Sequence, residues 1–277
     1  MVALEVPVEK IPYIRTIEGR KFRAGKWEFP DSAITKLQQY GLIDANIEIP
    51  KKEIVHYELS PHLRKYQKDI VNKALNEGSY GIFADTGTGK TLMGLEIAKH
   101  YGKTLILCPL SVIETAWVDD CKKFYPELKI TNCWATSSKK RFDAIDIDSD
   151  VYVMNYESFK ILKNKILAMD FQCVIVDESQ VMKNMGAQIT NELLQLIDVI
   201  THRFVLSGTP TPNHNSEIFP QMKFVDADIF GNNFFGFQAH YFTQDMQNPH
   251  RWYQTQENKE AYFNRLREKS VFLKKED

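Results

Sequence analysis

Tyr80 to His100 reads YGIFADTGTGKTLMGLEIAKH: an apolar strand-like run, a glycine-rich turn and a helical stretch in direct succession. The turn ADTGTGKT, Ala84 to Thr91, decides the reading. Phosphate binding needs a loop nearly free of side chains, so that backbone N–H groups can point at oxygens. It also needs the positive end of a helix dipole, a lysine for the β and γ phosphates and a hydroxyl for Mg²⁺. Gly87, Gly89, Lys90 and Thr91 supply these, and Thr86 and Thr88 complete the loop. Ala84 stands where the strict pattern has its first glycine, a position that mainly requires a small residue. A glycine-rich turn before an ordinary helix is the bland alternative, and the strand–loop–helix context argues against it. ATP with Mg²⁺ is the expected cofactor.

Outward from this loop, helices and strands alternate. Ser60 reads as an N-cap with Pro61 at the first helical position, and Leu63, Tyr66, Ile70, Ala74 and Leu75 share one apolar face before Gly78. After the loop helix come the strand TLILC, a helix opened by a capping box from Ser111 to Glu114 and closed before Pro126, and strands around LKITNC and VYVMN. FQCVIV and RFVL are continuous apolar runs, as expected of strands buried on both faces. This alternation predicts an α/β fold, a doubly wound and mostly parallel sheet over residues 51–277. Residues 214–277 are richer in aromatics and mixed charge, and helical towards the end.

Residues 1–50 differ in character and predict a small α+β module. Phe22, Trp27 and Phe29 flank Ala24-Gly25, which suits a hairpin, and a short helix from about Ser32 to Tyr40 stops at Gly41. The stretch IDANIEIPKKEIVHYEL then reads as an extended linker.

A second chemical signal is CVIVDESQ. Asp177 and Glu178 stand at the carboxyl end of a buried strand, the edge where open α/β sheets bind ligands. Adjacent carboxylates can divide the work: Asp177 holds Mg²⁺ through water, and Glu178 orients and deprotonates the attacking water. Alone, such a pair is more often a helix N-terminal charge pair. Its place about 90 residues after the glycine-rich loop reverses that preference.

Lys and Arg number 35 against 36 Asp and Glu, so the chain is no polycation and any nucleic-acid site must be a local patch. No apolar run approaches the roughly 18 residues of a membrane span, and MVALEVPVEK lacks the basic end and apolar core of a signal peptide. No membrane partner is expected. Cys108, Cys121, Cys133 and Cys173 are too widely spaced for a CxxC site and read as reduced, buried thiols.

LRKYQ (Leu63 to Gln67), ADTGTGKT, LILCPLSVIETAW (Leu105 to Trp117), VMNYESF (Val153 to Phe159), VIVDESQVMKN (Val174 to Asn184) and RFVLSGTPTPN (Arg203 to Asn213) occur in a characteristic order. In order and spacing they resemble the first RecA-like lobe of superfamily-two helicases. SGTPTPN, the KN after the acidic motif and VFLKKED at the end resemble the Swi/Snf-type branch, including its short bacteriophage-like members. The resemblance covers residues 60–277. It implies the N-terminal part of an ATP-hydrolysing DNA translocase or remodelling motor, working in a bacterial or phage-infected cytoplasm. It also implies that Gln67 reads the adenine edge, that Lys90, Thr91, Asp177 and Glu178 act as above, and that Ser207 and Thr209 link nucleotide state to DNA contact. Gln180 stands where most of that branch has His. It can hydrogen-bond but cannot titrate, so coupling through it differs. Residues like Pro109, Ser111, Asn155 and Tyr156 lie along the tracked strand's phosphates in the family; Ser111 as a helix cap and Tyr156 as core are equally open.

Between residues 10 and 26, Lys10, Arg15, Arg20, Lys21, Arg23 and Lys26 face a single Glu18, interleaved with Tyr13 and Phe22 and followed by Trp27. Basic groups beside exposed aromatics suit nucleic acid; a solvated hairpin whose Trp27 and Phe29 pack on the next helix is the alternative. GRKFRAGKWEFP resembles the HARP-related modules that precede some Swi/Snf-type annealing helicases, which implies duplex, forked or branched DNA as partner.

A complete motor of this superfamily has two RecA-like lobes, the second supplying transition-state arginines. No such lobe follows VFLKKED, so a second lobe, in cis or in trans, is an expected partner and the chain alone is expected to turn over little. Two other readings stand beside this one. A non-hydrolysing nucleotide- and DNA-binding platform has no need of Glu178, and a restriction-type or DEAD-box-like lobe is supported by TGTGKT and opposed by SGTPTPN.

Overall fold

The computed structural model describes residues 2–7, 10–14, 17, 21–23, 26–29, 33–43, 54–231, 233–248 and 251–275. The chain divides into two compact units, Met1–Ile54 and Val55–Asp277.

In the first unit, β1 (Val2–Leu4), α1 (Ile11–Ile14), β2 (Lys21–Arg23), β3 (Lys26–Phe29) and α2 (Ile34–Gln39) follow in order. The hairpin forms with Phe22 opposite Trp27, and β1 adds antiparallel to the other side of β3, a strand that the sequence pattern did not reveal. The Ala24-Gly25 turn lies outside the described residues. Alternation along β3 sends Phe29 into a small core with Ile14, Ile17, Ala33 and Leu37, and Trp27 packs against it. Gly41 follows α2 at φ +62°, a conformation in which glycine costs little.

The second unit is a seven-stranded sheet, parallel at every pairing. Its elements are α3 (Lys65–Glu77), β4 (Tyr80–Ala84), α4 (Lys90–Tyr101), β5 (Thr104–Cys108), α5 (Asp119–Phe124), β6 (Ile130–Asn132), α6 (Ser138–Ile145), β7 (Val151–Asn155), α7 (Tyr156–Leu167), β8 (Cys173–Asp177), α8 (Gln188–Leu194), β9 (His202–Ser207), α9 (Ile218–Val225), α10 (Phe234–Tyr241), β10 (Thr243–Gln244), β11 (Trp252–Tyr253), α11 (Gln256–Glu268) and β12 (Ser270–Leu273). The strand order is β12-β4-β9-β8-β5-β7-β6. Strands β4, β5, β7 and β8 are buried along their whole length because both faces are covered. Period-two alternation divides them between two cores. Leu105, Leu107, Val174 and Val176 face one, and Ile106, Cys108, Cys173 and Ile175 face the other. The four cysteines are free and buried, and burial pushes each thiol's pKa up, so they stay protonated.

Three expectations are corrected. Helix α3 starts at Lys65, not at Pro61. The Ser60 N–H donates to Glu96 Oε1 at 3.2 Å, the Ser60 carbonyl closes a turn with Leu63 N, and the Gln67 side chain caps the Arg64 N–H at 2.8 Å. The capping box at Ser111 is absent. Residues Leu110–Val112 form a 3₁₀ turn and Ile113–Val118 a π-helical turn before α5, while Glu114 accepts from Asn132 Nδ2 at 3.1 Å. The C-terminal stretch ends as a strand: β12 lies parallel beside β4, its register set by Ser270 opposite Gly81.

Trp117, on the π-turn, is fully buried and reaches across to α4. A Cβ on Gly94 would stand 2.7 Å from its ring, so only glycine admits it. Overpacking of this kind costs about 1–3 kcal/mol. Gly94→Ala should therefore lower the unfolding free energy of the core unit by that amount, read as a lower urea midpoint at unchanged m, and an unaltered midpoint would show that the ring is not held against α4.

Candidate nucleotide-binding site

The site lies at the carboxyl ends of β4, β9 and β8. Because β9 pairs with both others, the phosphate loop after β4 and the acidic pair after β8 lie two ladder spacings apart, roughly 10 Å, with Ser207, Gly208 and Thr209 between them.

The loop is shaped by its glycines. Gly87 and Gly89 have φ of +86° and +82°, which a side chain rarely adopts. Thr88 Oγ1 donates to the Asp85 carbonyl at 2.7 Å, and Lys90 Nζ donates to the carbonyls of Ala84 at 2.7 Å and Asp85 at 3.3 Å. The ammonium is thus folded over the loop. The first N–H groups of α4 have no partner within the helix, which leaves donors and the positive helix end facing the loop. Gln67 Nε2 and the Tyr66 hydroxyl both donate to the Thr88 carbonyl at 2.9 Å. A Cβ on Gly89 would lie 2.2 Å from Gln67 Nε2, so Gln67 is pressed onto the loop with both ends of its amide engaged. Strand β12 meets the same loop. Asp85 N donates to the Leu273 carbonyl, and Lys275 N to Asp85 Oδ2, each at 3.1 Å.

On the other side, Asp177 is buried at 8% exposure, with Oδ2 accepting from Trp117 Nε1 at 3.1 Å and Oδ1 from Glu178 N at 3.0 Å. Burial pushes its pKa up to about 6 against the indole's hydrogen bond, and the Glu178 charge adds to the rise. Glu178 has φ +52°, the one left-handed non-glycine residue among those described. Such a conformation costs on the order of 1–3 kcal/mol and persists only where surroundings impose it. The Asp177 carboxylate holds its N–H, and Gln180 Nε2 holds its Oε2 at 2.7 Å. Ser207 Oγ donates to Gln180 Oε1 at 2.6 Å and accepts from Thr209 N at 3.0 Å. A continuous run of hydrogen bonds therefore joins Glu178 to Thr209. Gly208 completes the junction: a Cβ there would sit 3.6–3.8 Å from the Ala84 carbonyl, Thr86 Oγ1 and Lys90 Nζ.

Other candidates are placed differently. Ser111 is exposed and Pro109 partly so. Asn155 caps α7, with Oδ1 accepting from Ser158 N at 3.1 Å and Ser158 Oγ at 2.7 Å. The Tyr156 hydroxyl turns inward to the Asp177 carbonyl, and burial raises its pKa well above the ordinary value. Arg20 lies outside the described residues, as do the side chains of Lys21 and Arg23. Trp117, Tyr156 and Gly208 were not legible as parts of this constellation, since in sequence they read as core or turn.

The donor set fits magnesium. A hydroxyl and a carboxylate are hard oxygen ligands, and among the described residues no ammonium or guanidinium lies within ion-pair distance of buried Asp177. A glycine-rich loop opening a helix, with an acidic pair of buried Asp177 and half-buried Glu178 one strand removed, defines a RecA-like nucleotide-binding lobe. The chain belongs to the SNF2-related domain family, whose profile matches residues 52–272. It is 34% identical over 179 residues to the SWI/SNF-related matrix-associated actin-dependent regulator of chromatin subfamily A-like protein 1 homolog of Caenorhabditis elegans, a match covering 63% of this chain and 26% of that protein. With the chromatin-remodeling ATPase INO80 of Saccharomyces cerevisiae it shares 26% over 193 residues, 62% of this chain and 13% of the other. The chain thus spans about a quarter or less of these relatives' lengths. The Sulfolobus solfataricus SWI2/SNF2 ATPase core in complex with dsDNA has the same fold, with a TM-score of 0.66 at 21% identity, covering 81% of this chain and 47% of that one.

Two outcomes follow from the site. Removing a charge-assisted phosphate contact costs about 1.5–3 kcal/mol, so Lys90→Ala should weaken ATP binding roughly tenfold or more in calorimetry; equal affinity would sink the assignment. For Asp177, the folded state binds more protons than the unfolded one between pH about 4 and about 6. The stability this provides is full below pH 4 and lost as pH rises through about 6. At pH 7 the ionised group costs on the order of 3 kcal/mol. Asp177→Asn should raise the stability of the nucleotide-free protein at pH 7 by roughly 1–2 kcal/mol, less than the full cost because the bond to Glu178 N–H is lost. It should also flatten the pH dependence of urea unfolding between pH 4 and 6, and an undiminished slope there would place the titration on another group.

Proposed function

We propose that the chain is the ATP-binding lobe of a Swi/Snf-type DNA-dependent ATPase, which couples ATP hydrolysis to movement along DNA or its remodelling. The observation that carries this reading is the run from Glu178 through Gln180 and Ser207 to the Thr209 N–H. It joins the acidic pair to the segment that follows β9, so a change at the γ phosphate can be felt outside the nucleotide site. The names of the INO80 relatives as chromatin-remodeling ATPases, and the duplex bound by the Sulfolobus core, support DNA as the partner.

In this reading Lys90 exchanges its loop carbonyls for the β and γ phosphates, and the loop N–H groups, from Thr86 to Thr91, face the remaining oxygens. Gln67 exchanges one of its amide bonds for the adenine edge. Magnesium, held by Thr91 and through water by Asp177, neutralises phosphate charge when bound. Glu178 accepts the proton of the attacking water, aimed by the Gln180 amide. Since an amide cannot titrate, the relay keeps one polarity: Ser207 always donates to Gln180, and Gln180 to Glu178.

Pro109 and Ser111 are the candidates for contact with the tracked strand. Asn155 and Tyr156 serve it by fixing the start of α7. Residues 1–50 act as a HARP-like DNA-recognition module, and the set of motifs fits a bacteriophage-like member acting in the cytoplasm. Exposed Lys26, with Arg20, Lys21 and Arg23, carries that contact; Lys10 donates to the Tyr40 carbonyl at 3.1 Å, and Trp27 packs on the module's own core. A second RecA-like lobe, in the same chain or a separate one, supplies arginines to the transition state.

Steady-state ATP hydrolysis tests the reading. The chain alone should turn over slowly with duplex, single-stranded or forked DNA, and added second lobe should raise DNA-stimulated turnover by about 10³–10⁵. Glu178→Gln in that assembly should abolish turnover and leave binding nearly intact; preserved turnover would show that another group is the base. Replacing Arg20, Lys21 and Arg23 by Ala should reduce the slope of log K against log salt for DNA by about 0.7–0.9 per lost contact, and an unchanged slope would leave the module a solvated hairpin.

A further inference from the structure

We infer that Trp117 is a positioning residue for the magnesium-binding carboxylate, its indole N–H fixing the plane in which Asp177 presents its oxygens; this rests on the proposed role of Asp177. Each Asp177 oxygen accepts one protein hydrogen bond. Oδ1 takes the N–H of the next residue, a contact within the acidic pair itself. Oδ2 takes Trp117 Nε1 at 3.1 Å from sixty residues away, the one side-chain donor the carboxylate has among the described residues. An ionised carboxylate has about four lone-pair positions, so two remain for a hydrated cation. A carboxylate held at one oxygen only can rotate about its terminal bond, and that rotation would leave the free lone pairs with no fixed direction.

Several features exist to bring that N–H to its place. Trp117 lies on the π-helical turn Ile113–Val118, and π-turns shift the residues after them relative to a regular helix. The segment follows β5, which lies between β8 and β7 in the sheet, so the ring enters beside the end of β8 that carries Asp177. The far edge of the ring fills the space left by the missing Cβ of Gly94 on α4, the helix that opens with Lys90 and Thr91. One rigid, fully buried ring thereby touches the helix bearing one proposed magnesium ligand and hydrogen-bonds the other. A residue needed only to fill the core would not require a donor, whereas a buried indole N–H requires an acceptor, and here that acceptor is Asp177 Oδ2.

Loss of a group that orients a metal's ligand typically costs 10–100-fold in metal affinity. The test uses the whole chain with a non-hydrolysable ATP analogue and Mn²⁺ in place of Mg²⁺, counting bound Mn²⁺ by electron paramagnetic resonance. Trp117→Phe, and replacement of Trp117 by benzothienylalanine, which keeps the fused ring but puts sulfur where the N–H was, should both weaken Mn²⁺ binding 10–100-fold. Analogue affinity in excess chelator, measured by calorimetry, should change less than about threefold in the benzothienylalanine protein, which remains the test should Trp117→Phe fail to fold. Equal Mn²⁺ affinity in the benzothienylalanine protein and the wild type would overturn the inference. So would an equal loss with and without metal, the mark of a packing role. If the wild type binds no Mn²⁺ with the nucleotide, Asp177 is not a metal ligand and the reading beneath falls with it.

Discussion

The pairing of β9 between β4 and β8 is the constraint on which the rest depends. Parallel strands share one carboxyl edge, and inserting a single strand between two others sets the distance between the loops that leave them. Here that distance separates a phosphate loop from a carboxylate pair, and the inserted strand delivers Ser207, Gly208 and Thr209 into the gap. Gly208 lies within van der Waals reach of the loop, where an added Cβ would stand 3.8 Å from Lys90 Nζ. Had β9 been placed at an edge, the same motifs would exist without the run of hydrogen bonds that joins them.

The site is held at a cost in stability. A carboxylate buried at the end of β8, with an indole and a backbone N–H for partners and, among the described residues, no cation within ion-pair distance, is most comfortable protonated in the nucleotide-free protein. Beside it, Glu178 is kept in a left-handed conformation that few side chains accept. Both features are understandable if the native partner of this edge is a metal-bound polyphosphate, whose arrival supplies the missing positive charge next to Asp177. Strain and burial here are thus the reverse side of preorganisation for a ligand.

Strand β12 adds a link that is easily overlooked. It extends the sheet beside β4, and its main chain, with that of Lys275, bonds both ends of Asp85. The Asp85 carbonyl in turn receives Thr88 and Lys90. The chain's last described strand is thereby continuous, through hydrogen bonds, with the glycine-rich loop.

Much of the fold was legible because its signals are local. Glycines and a lysine at fixed spacing, runs such as FQCVIV and VYVMN that are apolar on both faces, and Gly78 closing a helix each need only neighbouring residues to be read. The errors fell where distant groups competed with local ones. Ser60 did not cap a helix because Glu96, on another helix, took its N–H; Ser111 opened no α-helix because the chain there widens into a π-turn around Trp117; and VFL after α11 is too short a run to reveal a strand until β4 offers its free edge. By itself the sequence determined the class of fold, the phosphate loop and the identity of the acidic pair, since each follows from residue type and spacing along the chain. Only the tertiary structure decided that Gln180 aims Glu178, that Trp117 holds Asp177 and that Tyr156 turns inward. Trp117 and Tyr156 reach Asp177 from distant segments and Gln180 is itself held by Ser207 at the end of β9, and hydrogen-bond geometry of this kind exists only once packing has set the separations.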